Sequence, residues 1–566
     1  MNHNIVVNLG EQRFHKMIEE NKFYIDKTDF IREWWEYGAT VTLITRPRRF
    51  GKTLNMSMLE CFFSNKYAGR DDLFQRFSIW KEEKYRQLQG TYPVIPLSFA
   101  AVKTGNMDGI KTCVKEMIAN VYKNYKDIIT SELFDEDDRK TFAAVQRKMD
   151  DDTACMALPN LCTYLSKYYG KDVIIILDEY DTPMQEAWLA GNWDKAVEFF
   201  RLLFNHTFKT NPHLHRGILT GITRISKESI FSGLNNLDVI TTTSDEYAAA
   251  FGFTEEEVFA ALDAAGLGCE KQKVKQWYNG FTFGKVTDIY NPWSLASFIG
   301  KNGEYKSYWA NTSSNGLVNS LIQRGNSNIK QMMEDLLSGK SIVTELDEQV
   351  IFQQLNYNTE AVWSLLLATG YLKVINLELS GRFLRPKYTL ALTNMEVESM
   401  FEKMIQDWFG GETMTTYNDF IYALLQDNVT KMNTFMNKMA LHTFSSFDSG
   451  NKPSKQAEPE RFYHGFVLGM VVNLADTCKI RSNRESGFGR YDVMLVPHDK
   501  NRKAFIFEFK VLDPDENETT LEDTLANAHA QIEEKQYETE LISEGFSSEN
   551  IRKYGFAFKG KTCLIG

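Results

Sequence analysis

The chain has 566 residues, 43% of them hydrophobic and 25% charged, with a formal net charge of -11; that length suits about three or four globular domains, and the negative balance excludes a protein that coats nucleic acid over its whole surface, while leaving room for a local basic groove. The seven cysteines (Cys61, Cys113, Cys155, Cys162, Cys269, Cys478 and Cys563) include no C-x-x-C pair, so neither a zinc site nor a disulfide framework is indicated. The start carries no leader-like pattern and the longest purely aliphatic run, Val173 to Leu177, is far too short to span a bilayer, so the expectation is a cytoplasmic protein with no membrane partner.

In chain order, the first informative segment is TVTLIT (Thr40 to Thr45), β-branched and apolar, which predicts a strand. Gly51-Lys52-Thr53 follows, and then Leu54, Met58, Leu59, Phe62 and Phe63 recur at helical spacing. Strand, loop and helix in that order can cradle a phosphate, because loop N–H groups and the helix N-terminus then face the ligand. The full pattern G-x-x-x-x-G-K-[ST] fails at its first glycine, where Arg46 stands, followed by Pro47, Arg48, Arg49 and Phe50. The alternative is a basic surface turn with a solvated Lys52. Two further GK[ST] tripeptides lack the right surroundings. Gly339-Lys340-Ser341 follows helix-like IKQMMEDLLS and reads as a helix C-cap. Gly560-Lys561-Thr562 lies between strand-like YGFAF and CLI and reads as a hairpin turn.

YPVIPLSF (Tyr92 to Phe99), DVIIILDEYDTPM (Asp172 to Met184) and RGILTGIT (Arg216 to Thr223) supply more strands, separated by helical stretches, which implies an α/β sheet. The second is a continuous apolar run, as in a parallel strand buried on both faces. It ends in Asp178 and Glu179, where open α/β sheets bind ligands. In an ATPase the first carboxylate would hold Mg²⁺ through water and the second would polarise the attacking water. The plainer reading is a strand end with two solvated acids. Thr220, Thr223 or Arg224 could lie near a γ-phosphate, or serve only as a loop cap and a surface arginine.

The aromatic blocks WYNGFTFG and IYNPWSLASFI could stack on a base or make a small core, and core is the expectation taken, with a turn at Asn279-Gly280 and Pro292 in the first turn of a helix. AVWSLLLATGYLKV and FLRPKYTLALTNMEV read as helix, strand, strand, helix, a pattern compatible with a winged-helix module; such a module can bind DNA or only pack on an ATPase core, and the expectation taken is the structural one. NKPSKQAEPE reads as a linker. RFYHGFVLGMVVNLA reads as a long apolar helix with His464 packed or capping. YDVMLV and AFIFEFKV predict two strands around the charged turn Pro497 to Lys503. Glu508 and Lys510 are two apart and share a face. Both are expensive to bury on an apolar strand. They make sense if a divalent cation pairs with Asp492 and Glu508 while Lys510 orients water or stabilises a pentavalent phosphate, as in phosphodiester hydrolysis. The other reading is an exposed sheet edge with an E-x-K alternation. The acidic run Asp513 to Asp523 reads as a solvated loop, and AHAQIEEKQY as an amphipathic helix with Gln531 and Tyr537 facing the site.

FYIDKTDFI, TRPRRFGKT, IIILDEYDTPM, GITRISKESIFSGLNNL, WYNGFTFG and IYNPWSL resemble the predicted AAA-type ATPase domain common in Bacteroidetes and related gut bacteria. An arginine in place of the first P-loop glycine is part of that pattern. SNRESGFGRYD, FEFKV and QIEEKQY are similar to the PD-(D/E)XK nuclease-like domain usually fused to it. The resemblance implies that Gly51, Lys52 and Thr53 bind ATP–Mg²⁺, with Arg46, Arg48, Arg49 and Phe50 of the variant loop and Arg224 beside them. Arg46 would add positive charge near the phosphates, while Pro47 removes one N–H from the cradle. Thr53 and Asp178 would hold the metal, and Asp178 and Glu179 would be the Walker B pair. Glu485, Asp492, Glu508 and Lys510 would form the nuclease-like site with Gln531 assisting, and Asp492 and Glu508 would hold Mg²⁺ or Mn²⁺. Tyr491 stands where the strict motif has proline. The expected fold is multidomain α/β: a P-loop parallel-sheet ATPase core (1–240), a helical lid (241–330), a winged-helix-like module (331–410) and a C-terminal α/β restriction-endonuclease-like domain (411–566). The expected function is an ATP-binding, ATP-hydrolysing switch coupled to a metal-dependent nuclease acting on DNA or RNA, with a homo-oligomer and a defence role compatible with it. The rivals are a non-hydrolytic sensor or scaffold, and an ATPase with a protein-directed role.

Overall fold

Short apolar segments, each too hydrophobic to face water, pair side by side in the N-terminal half. In the computed structural model they are β1 (Val41–Thr45), β2 (Val94–Ser98), β3 (Val173–Asp178), β4 (Leu214–Gly221) and β5 (Leu237–Ile240). The sheet order is β2-β3-β4-β1-β5 and every pair is parallel. β1 and β3 are buried along their whole length, as strands covered on both faces must be. Helices Met107–Lys123, Asp151–Tyr169 and Trp193–Phe204 pack on the sheet, with Ile110, Val114, Leu158, Leu161, Phe200 and Phe204 in its core. The structure describes residues 7–225, 230–231, 233–309, 318, 321–322, 327–337, 339–346, 359–408, 412–443, 467, 474, 477–486, 489–516, 518–560 and 562–566.

The chain forms two units, one of Met1–Leu321 with Ser341–Glu398 and one of Ile322–Lys340 with Ser399–Gly566. Within the first unit, the β6 (Phe281–Phe283) and β7 (Val286–Ile289) hairpin lies between helices Lys271–Tyr278 and Pro292–Gly300. Asn291 caps the second helix through Trp293 N (2.9 Å) and Ser294 N (3.1 Å). Tyr278, Tyr290, Leu295 and Phe298 are buried together, so the aromatic blocks are core, as their sequence predicts. Helix Thr359–Ala368, β9 (Leu372–Ser380), β10 (Arg385–Leu392) and helix Met395–Trp408 follow in the predicted order. With β8 (Ile342–Thr344) they make an antiparallel sheet of order β8-β10-β9.

In the second unit, β11 (Cys478–Ser486), β12 (Gly489–Pro497), β13 (Ala504–Val511), β14 (Ile551–Lys559) and β15 (Thr562–Ile565) lie in sequence order. Only β13 and β14 are parallel, because helix Leu521–Lys535 carries the chain back between them. Alternation along the strands makes two cores. Val493, Phe505, Phe507 and Phe556 face helices Glu412–Leu425 and Val429–Thr443, through Phe420, Leu424, Met432 and Met436. Met494, Ile506, Ile532 and Tyr537 form the opposite core, against helix Leu521–Lys535.

Gly339, at φ 78, ends helix Ser327–Leu337 with Lys340 N on Asp335 O (2.9 Å), a C-cap as predicted. Gly560 lies in the turn between the antiparallel pair β14 and β15, the hairpin predicted there. The acidic run is not simply a solvated loop. Its end is helical, since Thr520 and Asp523 form a capping box, and Glu518 within it is buried. The expected linker at 451–460 lies outside the described residues. So does His464, and only 467 and 474 of the expected helix over 461–475 are described.

Candidate active sites

β1 delivers the chain at Thr45 to a loop that ends in Gly51. Gly51 has φ 78 and caps helix Lys52–Phe63, a left-handed conformation that glycine adopts without steric cost. Lys52 is 7% exposed, and its Nζ donates to Arg46 O (2.9 Å) and Pro47 O (2.8 Å). Burial pushes its pKa down to about 8, against the pull of Asp178, Glu179 and Asp181. Thr53 Oγ1 donates to Asp178 Oδ2 at 2.6 Å. Thr220 Oγ1 donates to the other oxygen, Asp178 Oδ1. The first turn of the helix after β1 and the ends of β3 and β4 therefore meet at one buried carboxylate. Glu179 follows with φ 53 and accepts from Thr182 Oγ1 at 3.2 Å. Burial first, and then the charge of Asp178, raise its pKa, while Lys52 opposes.

Tyr180 and Asp181 lock this strand end to the turn after β4. Asp181 Oδ2 accepts from Ile222 N (3.0 Å), Thr223 N (2.9 Å) and Thr223 Oγ1 (2.9 Å). Tyr180 Oη donates to Thr223 O (2.7 Å) and accepts from Ile225 N (3.1 Å). A Cβ on Gly221 would lie 2.6 Å from Tyr180 Cε1 and 2.8 Å from Asp181 Oδ1, so the lock needs glycine there. Sequence reasoning missed Tyr180 and Asp181 and left Thr220 and Thr223 undecided. The signal was faint: a third acid, Asp181, three residues after Asp178, and a glycine inside an apolar strand, which marks close approach.

The variant loop divides in two. Arg46 is fully buried, with Nη1 on Thr45 O (2.9 Å) and Thr241 O (2.6 Å) and Nη2 on Glu246 O (3.2 Å). Its guanidinium lies 4.7 Å from the centre of the Phe283 ring, and burial pushes its pKa down to about 9. The expected charge near the phosphates is thus a brace tying β1 to the 241–246 segment. Phe50 is buried edge-on against Phe281 (4.7 Å) and Phe283 (5.4 Å). Arg48 and Arg49 are exposed. Asn291 Nδ2 reaches Arg48 O at 3.4 Å, and the Arg49 guanidinium lies 4.3 Å over Trp293. Arg224 lines a cavity of about 220 Å³ with Ile225, Phe231, Leu237, Asp238 and Val239; Lys52, Thr53 and Asp178 are not part of that lining.

In the second unit, the β12–β13 ladder has its last rung at Val493–Phe507. One residue further, Asp492 Oδ2 accepts from Phe509 N at 2.8 Å, taking the place of a ladder carbonyl. Glu508 is 2% exposed on a strand flanked by β12 and β14, which overturns the exposed-edge reading of E-x-K. Gln531 Nε2 donates to Glu508 Oε1 and to Tyr537 Oη (3.2 Å). Burial pushes the Tyr537 hydroxyl up to about 12, and the charges of Glu508 and Asp492 add to this. Lys510 shares the Glu508 face. Beside it, Glu518 accepts from Thr524 Oγ1 (2.7 Å), Asn527 Nδ2 (2.6 Å) and Asp513 N (2.9 Å). Burial pushes Glu518 up, but those hydrogen bonds and the Lys510 charge together hold it below its ordinary value. Glu485 lies in β11 opposite Arg490, and its side chain is outside the described residues.

The donor sets suit the groups that these sites would take. Asp178 and Glu179 set two carboxylates beside the buried Lys52 ammonium, a donor set through which Mg²⁺ can bind while keeping water and substrate oxygens. Among the described residues, no group of three or more His, Cys, Asp or Glu side chains is placed to hold a metal. Asp492 and Glu508 are two carboxylates, and Mg²⁺ characteristically binds through one or two of these while keeping water and substrate oxygens. Among the described residues, no helix is long and apolar enough to cross a membrane.

Comparison with known proteins gives a family match over the region of each candidate site. A family model described as "Predicted AAA-ATPase" matches residues 8–231. A second, described as "PD-(D/E)XK nuclease superfamily", matches residues 458–566. An Azotobacter chroococcum mcd 1 chain, described as an uncharacterized protein in the vnfD 5' region, is 26% identical over 526 residues, covering 89% of each chain. A solved structure, a Signal Transduction ATPase with Numerous Domains (STAND) protein with a tetratricopeptide repeat sensor from Pyrococcus horikoshii, is 11% identical with a TM-score of 0.23. The match covers 80% of this chain and 58% of that one, so this chain spans less than two thirds of that protein.

Proposed function

We propose that this chain, in which an AAA-ATPase-like domain and a PD-(D/E)XK nuclease superfamily domain are joined, binds and hydrolyses ATP in its first unit and cleaves phosphodiesters of DNA or RNA in its second. ATP acts as a switch. The observation that carries the reading is the meeting of Thr53 and Thr220 on the buried Asp178 carboxylate, with Lys52 buried near enough to feel its charge, where β3, β4 and the helix after β1 converge. Lys52 and the helix N-terminus hold phosphate. Thr53 and Asp178 hold Mg²⁺, which when bound neutralises charge on the β- and γ-phosphates. Glu179, its proton affinity raised by burial and by Asp178, orients the attacking water and draws on its proton.

In the second unit Asp492 and Glu508 hold Mg²⁺ or Mn²⁺, which when bound supplies Lewis-acid polarisation of the phosphate and a more acidic water. Lys510 stabilises the charge that develops on the phosphate. Gln531 fixes the Glu508 carboxylate and Tyr537 fixes Gln531. The test is a cleavage screen over DNA and RNA forms with Mg²⁺ or Mn²⁺, with and without ATP. Asp492→Ala and Lys510→Ala should abolish cutting; if both cut as well as the unmodified chain, the nuclease assignment is wrong. Phosphate release should fall strongly in Glu179→Gln, and stimulation by nucleic acid would count against a protein-directed role. A role against mobile DNA predicts altered phage or plasmid sensitivity in deletion strains.

One observation favours a second reading. Arg46 stands at the first glycine position and Pro47 brings no N–H to the cradle. A loop with one N–H fewer stabilises charge developing on the γ-phosphate less, which suits a non-hydrolytic sensor; with affinity supplied by Lys52 and the helix N-terminus, that reading predicts tight ATP binding, negligible phosphate release and no metal-dependent cleavage.

A further inference from the structure

The hairpin that joins β9 to β10 stands clear of the first unit. β8 pairs only with Tyr388–Leu390 of β10. Beyond it, Arg385–Lys387 pair with Glu378–Ser380, and residues 375–379 and 381–387 are all exposed. A two-stranded ribbon has no core of its own, so packing does not account for what it displays. Phe383 is 78% exposed and Leu384 64% exposed at the tip, with exposed Leu377 and Leu379 behind them. Leu384 has φ 50 and its N–H on Gly381 O (3.2 Å), so it closes the turn in a left-handed conformation that a large side chain rarely takes.

Charge surrounds these apolar groups. Arg382, Arg385 and Lys387 are exposed, and among the described residues none of them forms an ion pair, although Lys387 faces Glu378 across the ladder. Glu378, the one carboxylate of the ribbon, accepts from Asn376 Nδ2 at 3.0 Å. Three cations against one carboxylate make a local positive end on a chain of net charge -11.

We propose that this hairpin is a nucleic-acid-binding arm. Arg382, Arg385 and Lys387 take backbone phosphates, and Phe383 with Leu384 lies against an exposed base face or base step. The inference rests on the reading that the chain acts on nucleic acid, and adds where it holds it. A two-stranded ribbon fits the major groove of a duplex. Apolar side chains beside cations can wedge between base pairs or stack on unpaired bases. A purely apolar protein contact would leave the three cations without a role.

The test uses the full chain with a chelator present, so that binding is read without cleavage. Fluorescence anisotropy is followed with labelled duplex DNA, single-stranded DNA and duplex RNA over a range of salt. Joint Arg382→Ala, Arg385→Ala and Lys387→Ala substitution should weaken binding at least about tenfold and reduce the salt slope by roughly 2.7 on duplex DNA and roughly 2.1 on single strands, the values for three lost phosphate contacts. Phe383→Ala should weaken binding with the slope unchanged. All four side chains are exposed, so ATP binding should be unaltered and reports on folding. Binding by the triple variant equal to that of the unmodified chain overturns the arm. So does a change in mass by light scattering with nucleic-acid binding intact, which would make the occupant a second copy. Unchanged binding in the triple variant, together with cleavage that Asp492→Ala abolishes, sinks the arm and leaves the nuclease reading standing. Hairpin-dependent binding without cleavage under any metal does the reverse.

Discussion

Lys52 is buried against two carbonyls, and the consequence is legible in pH. Its pKa falls from the ordinary 10.5 to about 8 on folding. A bound phosphate favours the charged form, so ATP binding above pH 8 must take up a proton. Affinity should be flat below about pH 8 and fall by up to tenfold per unit above it. Calorimetry at about pH 8.5 in buffers of different ionisation enthalpy measures the uptake directly; no uptake would place the phosphate elsewhere. Stability carries the opposite sign. Between the folded and unfolded values the unfolded chain binds more protons, so stability rises with pH in that window, and Lys52→Met should remove the rise. Arg46 is a different kind of cation. Arg46→Gly leaves the carbonyls of Thr45, Thr241 and Glu246 without their donor, which should cost about 3 kcal/mol of stability. ATP affinity should survive in the folded fraction, whereas Lys52→Ala should abolish it.

At the scale of elements, the strand ends matter more than the strands. The β3 end is clipped to the β4 turn by Tyr180 and Asp181, over a glycine that leaves room for both. Gly221→Ala puts a methyl within 2.6 Å of the Tyr180 ring. Overpacking of this kind should cost about 1–3 kcal/mol. Hydrogen exchange should quicken at Ile222, Thr223 and Ile225, whose amides the clip protects, while the middle of β1 stays slow. Uniform loss of protection over the whole sheet would show that the clip is no separate element. Such elements were readable along the chain where neighbours decide: β3 from its unbroken apolar run, helix Pro292–Gly300 from Asn291-Pro292, the Gly339 C-cap from its surroundings. The clip was not, because a tyrosine and an aspartate after a strand look the same whether they face water or a turn 42 residues away.

For the whole molecule, each unit has its own cores, so each can respond to ligand separately. A ligand that binds only the native first unit stabilises it by about 2.7 kcal/mol at a hundredfold excess over Kd. Scanning calorimetry with ATP should raise the transition of the first unit and leave the other in place, and Lys52→Ala should erase the shift. If ATP raises both transitions equally, the units unfold as one and their independence is refuted.

The sequence by itself determined the periodicity: which runs are strands and which are helices, and which of three GK[ST] tripeptides has a strand before it and a helix after. It also carried the paired carboxylates Asp178 and Glu179, and the Asp492, Glu508 and Lys510 spacing, because alternation puts residues two apart on one face. Only the tertiary structure decided what those groups touch. Thr53 meets Asp178 across 125 residues and Thr220 meets it across 42, contacts set by the strand order β2-β3-β4-β1-β5. Burial decided the rest. The same arginine is a phosphate ligand if it faces solvent and a brace if it is enclosed, and Arg46 is enclosed. Glu508 is an exposed edge residue or a buried one according to whether a strand lies on each side of β13, and β12 and β14 both do. Local pattern records what adjacent residues require of the backbone; partner and dielectric belong to residues far away in the chain.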